Sequence, residues 1–183
     1  MMKEIVFYGR GGQGAVIASR LLAVAAFKEG KNVQSFPFFG VERRGAPVTA
    51  YTRLNSCTIR KRAPIDAPDY VIVLDPTLLE NIDITQGLKK DGNILINTGS
   101  SKNSFPFSKK FNVFTFDAAV VALKHGLGSK SAPIVNTSIL GAFSKFTKEI
   151  GIKSLVSAIS ETIIVKTKEN IEATKEAYEK AGQ

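Results

Sequence analysis

A glycine-rich hexapeptide near the amino terminus constrains the fold more than any other stretch. It follows the apolar run at residues 5–8 and opens an Ala- and Leu-rich segment that reaches about residue 27. Its residues are Gly9, Arg10, Gly11, Gly12, Gln13 and Gly14. A strand that ends in glycines and continues as a helix is the first turn of a βαβ unit, and three of these glycines have the G-x-G-x-x-G spacing. The sequence therefore predicts an α/β fold with this turn at its ligand-binding edge.

The same hexapeptide predicts a phosphate contact. Glycines let the backbone turn tightly and approach a ligand, and the free N–H groups at a helix start favour anionic oxygens. We therefore expect the amides of Gly11 to Gly14 to receive phosphate oxygens. The alternative is that the glycines only allow the strand and the helix to pack closely.

A dinucleotide site requires a second feature that the sequence lacks. An acidic residue normally stands about 20 residues past the glycines and holds the ribose, but Gln34, Ser35 and Phe36 occupy this position. A free-standing NAD(P) oxidoreductase whose basic loop holds a 2′-phosphate is therefore the weaker alternative. It also lacks an evident acid–base pair, because the single histidine, His125, precedes Gly126 at a predicted helix end.

The composition is that of an ordinary globular protein. The chain has 183 residues and 44% hydrophobic content, so we expect one domain over residues 1–183. No apolar run is long enough to span a bilayer, and we expect a cytoplasmic location without membrane association. With one cysteine, Cys57, and one histidine, the chain has no ligand set for zinc or an iron–sulfur cluster, and we expect no metal site on it.

Positive charge is concentrated between residues 40 and 62. The formal charge is +9, and this stretch has six basic residues against one acid, Glu42. Such an excess favours anionic partners, although no nucleic-acid-binding module or stacking aromatics accompany it, so we expect no nucleic acid. Arg43 and Arg44 lie between glycines, after the second predicted strand, and are candidates for phosphate contacts. The alternative is a solvated basic hairpin.

The pattern of apolar residues and turn signals predicts the elements. We expect strands near residues 4–8, 32–39, 48–54, 58–60, 70–74, 93–97 and 112–116, and helices near residues 13–29, 118–124, 136–150, 152–165 and 169–181, with a further helix beginning near Thr77. The fold class is a single α/β domain with a Rossmann-like, mostly parallel sheet, a β-hairpin insertion and C-terminal helices. The strands at 48–54 and 58–60 form the expected hairpin. Asp75, Asn97 and Asp117 stand at strand ends, where polar residues either form turns or contact ligands.

Four stretches together closely resemble one protein family. They are residues 9–15, residues 36–48 with the Glu42-Arg43-Arg44-Gly45 sequence, residues 68–76, and the region of Asn136 with its Leu140-Gly141-Ala142 sequence. They are similar to the gamma subunits of pyruvate:ferredoxin oxidoreductases, within the 2-oxoacid:ferredoxin oxidoreductase family. The paired arginines resemble the pyruvate and 2-oxoisovalerate branches more than the 2-oxoglutarate branch. One departure is Val41, where the family has proline.

The resemblance implies a multi-subunit enzyme. Such an enzyme decarboxylates a 2-oxoacid such as pyruvate on thiamine diphosphate and Mg, passes electrons through iron–sulfur clusters to ferredoxin, and releases an acyl-coenzyme A. The resemblance implies that these cofactors belong to alpha, beta and delta-type partner subunits, and that this chain is not active alone. The chain would help to bind coenzyme A and pack against the catalytic subunits.

Eleven residues are expected to contact coenzyme A, through the glycine hexapeptide, the arginine loop and the Asn136 region. They are Gly9, Arg10, Gly11, Gly12, Gln13, Gly14, Glu42, Arg43, Arg44, Gly45 and Asn136. No catalytic residue is expected on this chain. Glu42 is expected to orient an arginine, and the two arginines fit a subunit interface as well as a phosphate site.

Overall fold

The computed structural model describes residues 1–38 and 46–182. The main sheet is built from β1 Lys3–Arg10, β2 Asn32–Phe38, β3 Pro47–Asn55, β4 Tyr70–Val73, β5 Asn93–Asn97 and β6 Asn112–Phe116. Their order across the sheet is β2-β3-β1-β4-β5-β6. Strands β1, β4, β5 and β6 pair in parallel, whereas β3 is antiparallel to both β1 and β2. Five of the six strands thus run in one direction, and the expected Rossmann-like, mostly parallel sheet is confirmed.

The hairpin insertion is present, but the prediction of its second strand is wrong. Residues 58–60 form no strand, and the hairpin consists of β2 and β3. Both edges of β3 are occupied, one by β1 and the other by β2, so a strand at 58–60 would find no unpaired backbone groups on β3. The residues that follow this segment lie beside Arg53, whose guanidinium donates to the carbonyls of Lys61 and Ala63.

Five α-helices within the described residues complete the fold. They are α1 Ala15–Lys28, α2 Ala118–Lys124, α3 Asn136–Thr147, α4 Ile152–Thr162 and α5 Thr167–Lys180. The segment expected to begin a helix near Thr77 is a 3₁₀ turn, Pro76–Glu80, which Asp75 caps by accepting from the Thr77 amide. The glycine- and serine-rich segment after α2 forms a small hairpin of β7 Gly128–Ser129 and β8 Ala132–Pro133.

The two faces of the sheet are covered differently. All five α-helices contribute residues to the core on one face, where α1 packs through Ala18, Leu21 and Leu22. Among the described residues, the core on the other face has no member from an α-helix and is closed by side chains such as Ile84, Leu88 and Phe111 from turns and loops. The helices therefore form a single layer against one side of the sheet. None of the helices described here is both long and apolar enough to cross a membrane.

Candidate anion-binding cleft

Three glycines of the hexapeptide, Gly9, Gly12 and Gly14, have different structural roles. A Cβ added to Gly9, at the end of β1, would come within 3.1 Å of the Ala15 Cβ, so this position serves close packing of strand and helix. Gly12 and Gly14, by contrast, have positive φ angles of 100° and 84°, which disfavour residues with a Cβ. The packing explanation therefore accounts for Gly9, and backbone conformation accounts for Gly12 and Gly14.

The amides of this loop differ in availability. The N–H of Gly11 donates to the carbonyl of Ala46 at 3.0 Å, and that of Gln13 to the carbonyl of Arg10 at 3.0 Å. Within the described chain, the amides of Gly12 and Gly14 have no acceptor. Of the four amides expected to receive phosphate oxygens, those of Gly11 and Gln13 are already paired, and those of Gly12 and Gly14 are available.

The start of α1 adds further donors. Its N-cap is Gly14, which has no side chain to accept from the first amides, and no acidic residue lies in the first turn. The N–H groups at the helix start and the positive end of the helix dipole therefore have no counter-charge from the first turn of this helix. This is the local environment that favours an anion.

Four side chains brace the loop against the end of β4. Gln13 accepts from the Arg10 amide at 2.8 Å and donates to Asp75 at 2.8 Å. The Arg10 guanidinium contacts Asp75 at 3.2 Å and the Thr77 hydroxyl at 2.8 Å. Partial burial alone raises the pKa of Asp75, but hydrogen bonds from Thr77 and Gln13 and the charge of Arg10 outweigh it and lower that pKa. The charge of Arg10 is therefore shared with a carboxylate.

A cleft of about 570 Å³ lies between this loop and the β7–β8 hairpin. Residues of the hairpin that line it are Gly128, Ser129, Ser131, Ala132 and Pro133. Residues 126–131 are rich in glycine and serine, a composition typical of a flexible connection, and no strand was predicted there. The glycine and serine content that suggested flexibility was the available signal, because such residues also bring backbone and hydroxyl donors close to ligands.

Asn136, which the resemblance implicated, lies directly beneath the glycine loop. It is 3% exposed, and its Oδ1 accepts from the Thr137 amide at 2.9 Å. A Cβ added to Gly14 would lie 2.6 Å from its Nδ2 atom. The structure therefore brings together the glycine hexapeptide and Asn136, which lie far apart in the sequence.

The arginine loop lies outside the described residues. This holds for Glu42, Arg43, Arg44 and Gly45. The chain resumes at Ala46, whose carbonyl accepts from Gly11, and Pro47 pairs with Arg10 in the sheet register.

The rest of the basic stretch is far from the cleft. Arg53 is buried, and residues 60–62 follow the opposite end of β3, where Leu54 pairs with Lys3. Arg53 and residues 60–62 thus lie at the end of the sheet away from the glycine loop. Only Arg43 and Arg44 precede the end of β3 that adjoins the glycine loop.

The other polar strand-end residues have structural partners. Asn97 donates to the Leu74 carbonyl at 2.8 Å and accepts from the Ala119 amide. Asp117 caps α2 by accepting from the Val120 amide at 3.0 Å. These contacts agree with turn and cap roles.

The histidine belongs to a surface ion-pair cluster. His125 lies 2.7 Å from Glu176, which also contacts Lys124 and Lys180. The hydrogen bonds from Lys180 and Lys124 lower the pKa of Glu176 to about 2. His125 does not line the cleft between the glycine loop and the hairpin.

The sheet order disfavours a dinucleotide site. In the dinucleotide-binding fold, the strand that carries the ribose-binding acid lies next to the first strand. Here β3 lies between β1 and β2, so the end of β2 is separated from the glycine loop by a strand of opposite direction.

The chain does not provide a metal centre in the part that the structure describes. No group of three or more His, Cys, Asp or Glu residues is placed to hold an ion there, and Cys57 is a single exposed thiol. These donors do not fit an iron–sulfur cluster, which needs several cysteine ligands.

Comparison with known proteins places this arrangement in a family. The chain is 50% identical over 183 residues to the pyruvate/ketoisovalerate oxidoreductases common subunit gamma of Pyrococcus abyssi, covering 98% of this chain and 97% of the relative. It is 51% identical over 158 residues to pyruvate synthase subunit PorC of Methanosarcina barkeri, covering 86% and 85%. The crystal structure of pyruvate oxidoreductase subunit PORC of Thermotoga maritima superposes with a TM-score of 0.81 at 34% identity, over 97% of this chain and 96% of that one. Residues 4–180 match the family model described as pyruvate ferredoxin/flavodoxin oxidoreductase, and the chain therefore belongs to this family.

Proposed function

We propose that this chain is the gamma subunit of a pyruvate:ferredoxin oxidoreductase, and that within the complex it binds part of coenzyme A and packs against the catalytic subunits. The names of relatives that align over nearly the whole chain support the subunit assignment. A complex acting on 2-oxoisovalerate or another 2-oxoacid is the main alternative, because one of these relatives is named for pyruvate and ketoisovalerate together.

The observation that carries the coenzyme A proposal is the cleft beside the glycine loop. Coenzyme A bears three phosphate groups. The cleft is lined by Gly12, whose amide has no acceptor within the described chain, and the uncapped start of α1 follows two residues later at Gly14. Its volume of about 570 Å³ lies within the usual range of small-molecule sites.

In this proposal, different residues of the chain make different contacts with coenzyme A. Gly12 and Gly14 donate backbone hydrogen bonds to phosphate oxygens, and Arg43 or Arg44 adds charge-assisted and bidentate contacts. Glu42 orients one of these arginines. Gln13 and Asp75 hold the loop in shape and keep Arg10 against the protein, so that the loop needs no rearrangement on binding.

The chemistry of the reaction belongs to the partner subunits in this proposal. Thiamine diphosphate with Mg and the iron–sulfur clusters reside on alpha, beta and delta-type chains, and ferredoxin accepts the electrons. This chain contributes by holding the thiol substrate, and it has no turnover alone. The complex would convert pyruvate and coenzyme A to acetyl-coenzyme A and CO2.

A charge-matched pair of variants tests the proposal. In the assembled enzyme, we expect Arg43→Ala with Arg44→Ala to raise the KM for coenzyme A at least about tenfold, since the variant removes two charge-assisted interactions. The control is Arg60→Ala with Arg62→Ala, which removes the same charge at the opposite end of the sheet, where both residues are exposed. The control should leave this KM unchanged.

The outcomes separate binding from assembly. An unchanged KM in an intact Arg43→Ala, Arg44→Ala complex would reject the coenzyme A role of these residues. If this variant instead fails to co-elute with its partner subunits, the arginines form a subunit interface. Equal rises in KM for both pairs would indicate only a long-range effect of net charge.

A further inference from the structure

The β7–β8 hairpin, which forms one wall of the cleft beside the glycine loop, is held at both of its ends by the start of α5. Before the hairpin, the carbonyl of Gly126 accepts from the Lys166 ammonium group. After the hairpin, the Thr137 hydroxyl donates to Asn170 Oδ1 at 2.9 Å. Asn170 joins the two contacts, because its Nδ2 donates to the Lys166 carbonyl at 2.9 Å. We call Thr137, Lys166 and Asn170 the polar clamp.

The centre of the polar clamp is buried between helices that otherwise pack through apolar side chains. Thr137 is 0% exposed and Asn170 is 6% exposed. Five of the eleven buried polar or charged residues of the described chain lie at the start of α3 and on the facing part of α5, namely Asn136, Thr137, Ser138, Asn170 and Thr174. Such hydrogen bonds add little net stability, but a fully paired buried network fixes the relative position of the elements that it joins. The network therefore indicates that position matters at this junction.

The backbone of Lys166 supports this interpretation. Its φ angle of 54° lies in the left-handed region, which is strained for a residue with a Cβ and persists where the surrounding structure determines it. The Lys166 carbonyl accepts from both the backbone amide and the Nδ2 of Asn170, at 3.0 and 2.9 Å. These two bonds hold Lys166 in the conformation from which its side chain reaches Gly126.

The other end of the polar clamp lies beneath the glycine loop. Thr137 follows Asn136, and its amide donates to Asn136 Oδ1 at 2.9 Å. Asn136 in turn lies against Gly14, where an added Cβ would come within 2.6 Å of its Nδ2 atom. The clamp thus connects the floor of the glycine loop with the hairpin that faces this loop across the cleft.

We propose that Thr137, Lys166 and Asn170 are positioning residues for the anion-binding cleft, which set the place of the hairpin relative to the glycine loop before a ligand arrives. None of the three lines the cleft itself. A wall that is already in place spares the ligand the cost of ordering residues 127–134 on binding. The clamp is independent of which ligand binds, whereas its expected effect on coenzyme A rests on the proposed function.

Thr137→Val tests the polar clamp, because valine keeps the shape of threonine and removes the hydroxyl donor. In the assembled enzyme without ligand, we expect amide hydrogen exchange of residues 127–134, measured by mass spectrometry, to accelerate about fivefold on loss of this hydrogen bond. We expect the KM for coenzyme A to rise about fivefold with kcat unchanged, because the wall must then be ordered on binding. Thr137→Ser, which keeps the hydroxyl, should restore both the exchange rate and the KM.

Ser144→Ala is the matched control for a general loss of stability. Ser144 lies near the carboxyl end of the same helix, is 2% exposed, and donates one hydrogen bond to the Ile150 carbonyl at 2.8 Å. Its substitution removes one buried donor away from the cleft. The exchange of residues 127–134 and the KM for coenzyme A should therefore not change.

A second pair of variants tests the exposed end of the polar clamp. Lys166→Met removes the contact with the Gly126 carbonyl. Lys168→Met removes the same charge from an exposed residue that has no hydrogen bond or ion pair from its side chain within the described chain. Only Lys166→Met should accelerate the exchange of the hairpin.

The outcomes separate the polar clamp from the proposed function. Equal exchange of the hairpin in Thr137→Val and Ser144→Ala would overturn the clamp, as would a failure of Thr137→Ser to restore the wild-type rate. Faster exchange with an unchanged KM would overturn the positioning role in ligand binding. If Thr137→Val does not fold, the exposed Lys166→Met decides between the same outcomes. The exchange measurement uses no ligand, so its result stands even if the Arg43→Ala, Arg44→Ala complex rejects the coenzyme A role.

Discussion

The two ends of the central sheet each contain an arginine bound to a carboxylate. The two sites differ in how deeply the arginine is buried and in whether neighbouring backbone amides lack an acceptor. At the glycine-loop end, Arg10 is partly exposed, and the amides of Gly12 and Gly14 beside it have no acceptor within the described chain. At the opposite end, Arg53 is 0% exposed and Glu4 nearly so, with a separation of 2.8 Å. An arginine site that satisfies its donors internally stabilises the fold, whereas one that leaves donors open is suited to a ligand.

The Arg53 site is saturated by local groups. Its guanidinium also lies over the ring of Phe36 at 5.4 Å. Its further acceptors are Gln34 Oε1 and the carbonyls of Lys61, Ala63 and Pro64. The arginine thus holds residues 61–64, which directly follow the segment that the sequence suggested would be a strand.

The largest effect is expected from Arg53→Met. Among the described residues, this change leaves the buried Glu4 carboxylate with the half-exposed Lys61 as its one remaining partner. We expect the free energy of unfolding to fall by about 3 to 5 kcal/mol. Denaturant unfolding of the purified subunit measures it. The surface control Lys61→Met should cost less than about 1 kcal/mol.

A double variant separates the ion pair from the packing. Arg53→Met combined with Glu4→Gln removes the unpaired charge and should recover part of the stability that Arg53→Met removes. If Arg53→Met costs no more than Lys61→Met, the site does not have the structural role assigned to it here.

An intermediate effect is expected at the glycine loop. Gly14 and Gly12 both have positive φ angles, but only at Gly14 would a Cβ meet another group, the Asn136 Nδ2 at 2.6 Å. We expect Gly12→Ala to cost about 1 kcal/mol from backbone strain alone, and Gly14→Ala about 2 to 3 kcal/mol. Unfolding of both variants in parallel measures the difference. Equal costs would show that Asn136 moves aside freely, and that the close approach at Gly14 does not constrain the loop.

Much of the architecture follows from local sequence. The glycine hexapeptide marks the turn from β1 into α1, and the apolar runs at residues 93–97 and 112–116 coincide with β5 and β6. These elements are short, regular and bounded by turn residues, so their patterns identify them without knowledge of the tertiary structure.

Other features depend on tertiary contacts that no local pattern contains. Residues 58–60 resemble a strand, but both edges of β3 are taken and Arg53 binds the carbonyls that follow. The β7–β8 hairpin has the sequence of a flexible connection, because its role as a cavity wall arises only when the chain brings it opposite the glycine loop. Arg53 and residues 60–62 lie away from the glycine loop because β3 runs from that loop to the opposite end of the sheet, which the pairing with β1 fixes.

The smallest effect, at Asp75, tests how the glycine loop is held. Asp75 and Asp83 form the same turn, in which the carboxylate accepts from the amide and hydroxyl of the threonine two residues later. Only Asp75 also binds Arg10 and Gln13, so the difference between Asp75→Asn and Asp83→Asn isolates these two contacts. We expect this difference to be about 1 kcal/mol in the free energy of unfolding at neutral pH.

The pH dependence of this difference follows from the pKa of Asp75, which is lowered in the folded protein. The contribution of the Asp75 carboxylate to the free energy of unfolding is present above the ordinary carboxyl range and is lost as the pH falls through the lowered value. The excess cost of Asp75→Asn should therefore shrink in acid, and a pH-independent excess would show that Arg10 and Gln13 hold the loop by geometry and not by charge.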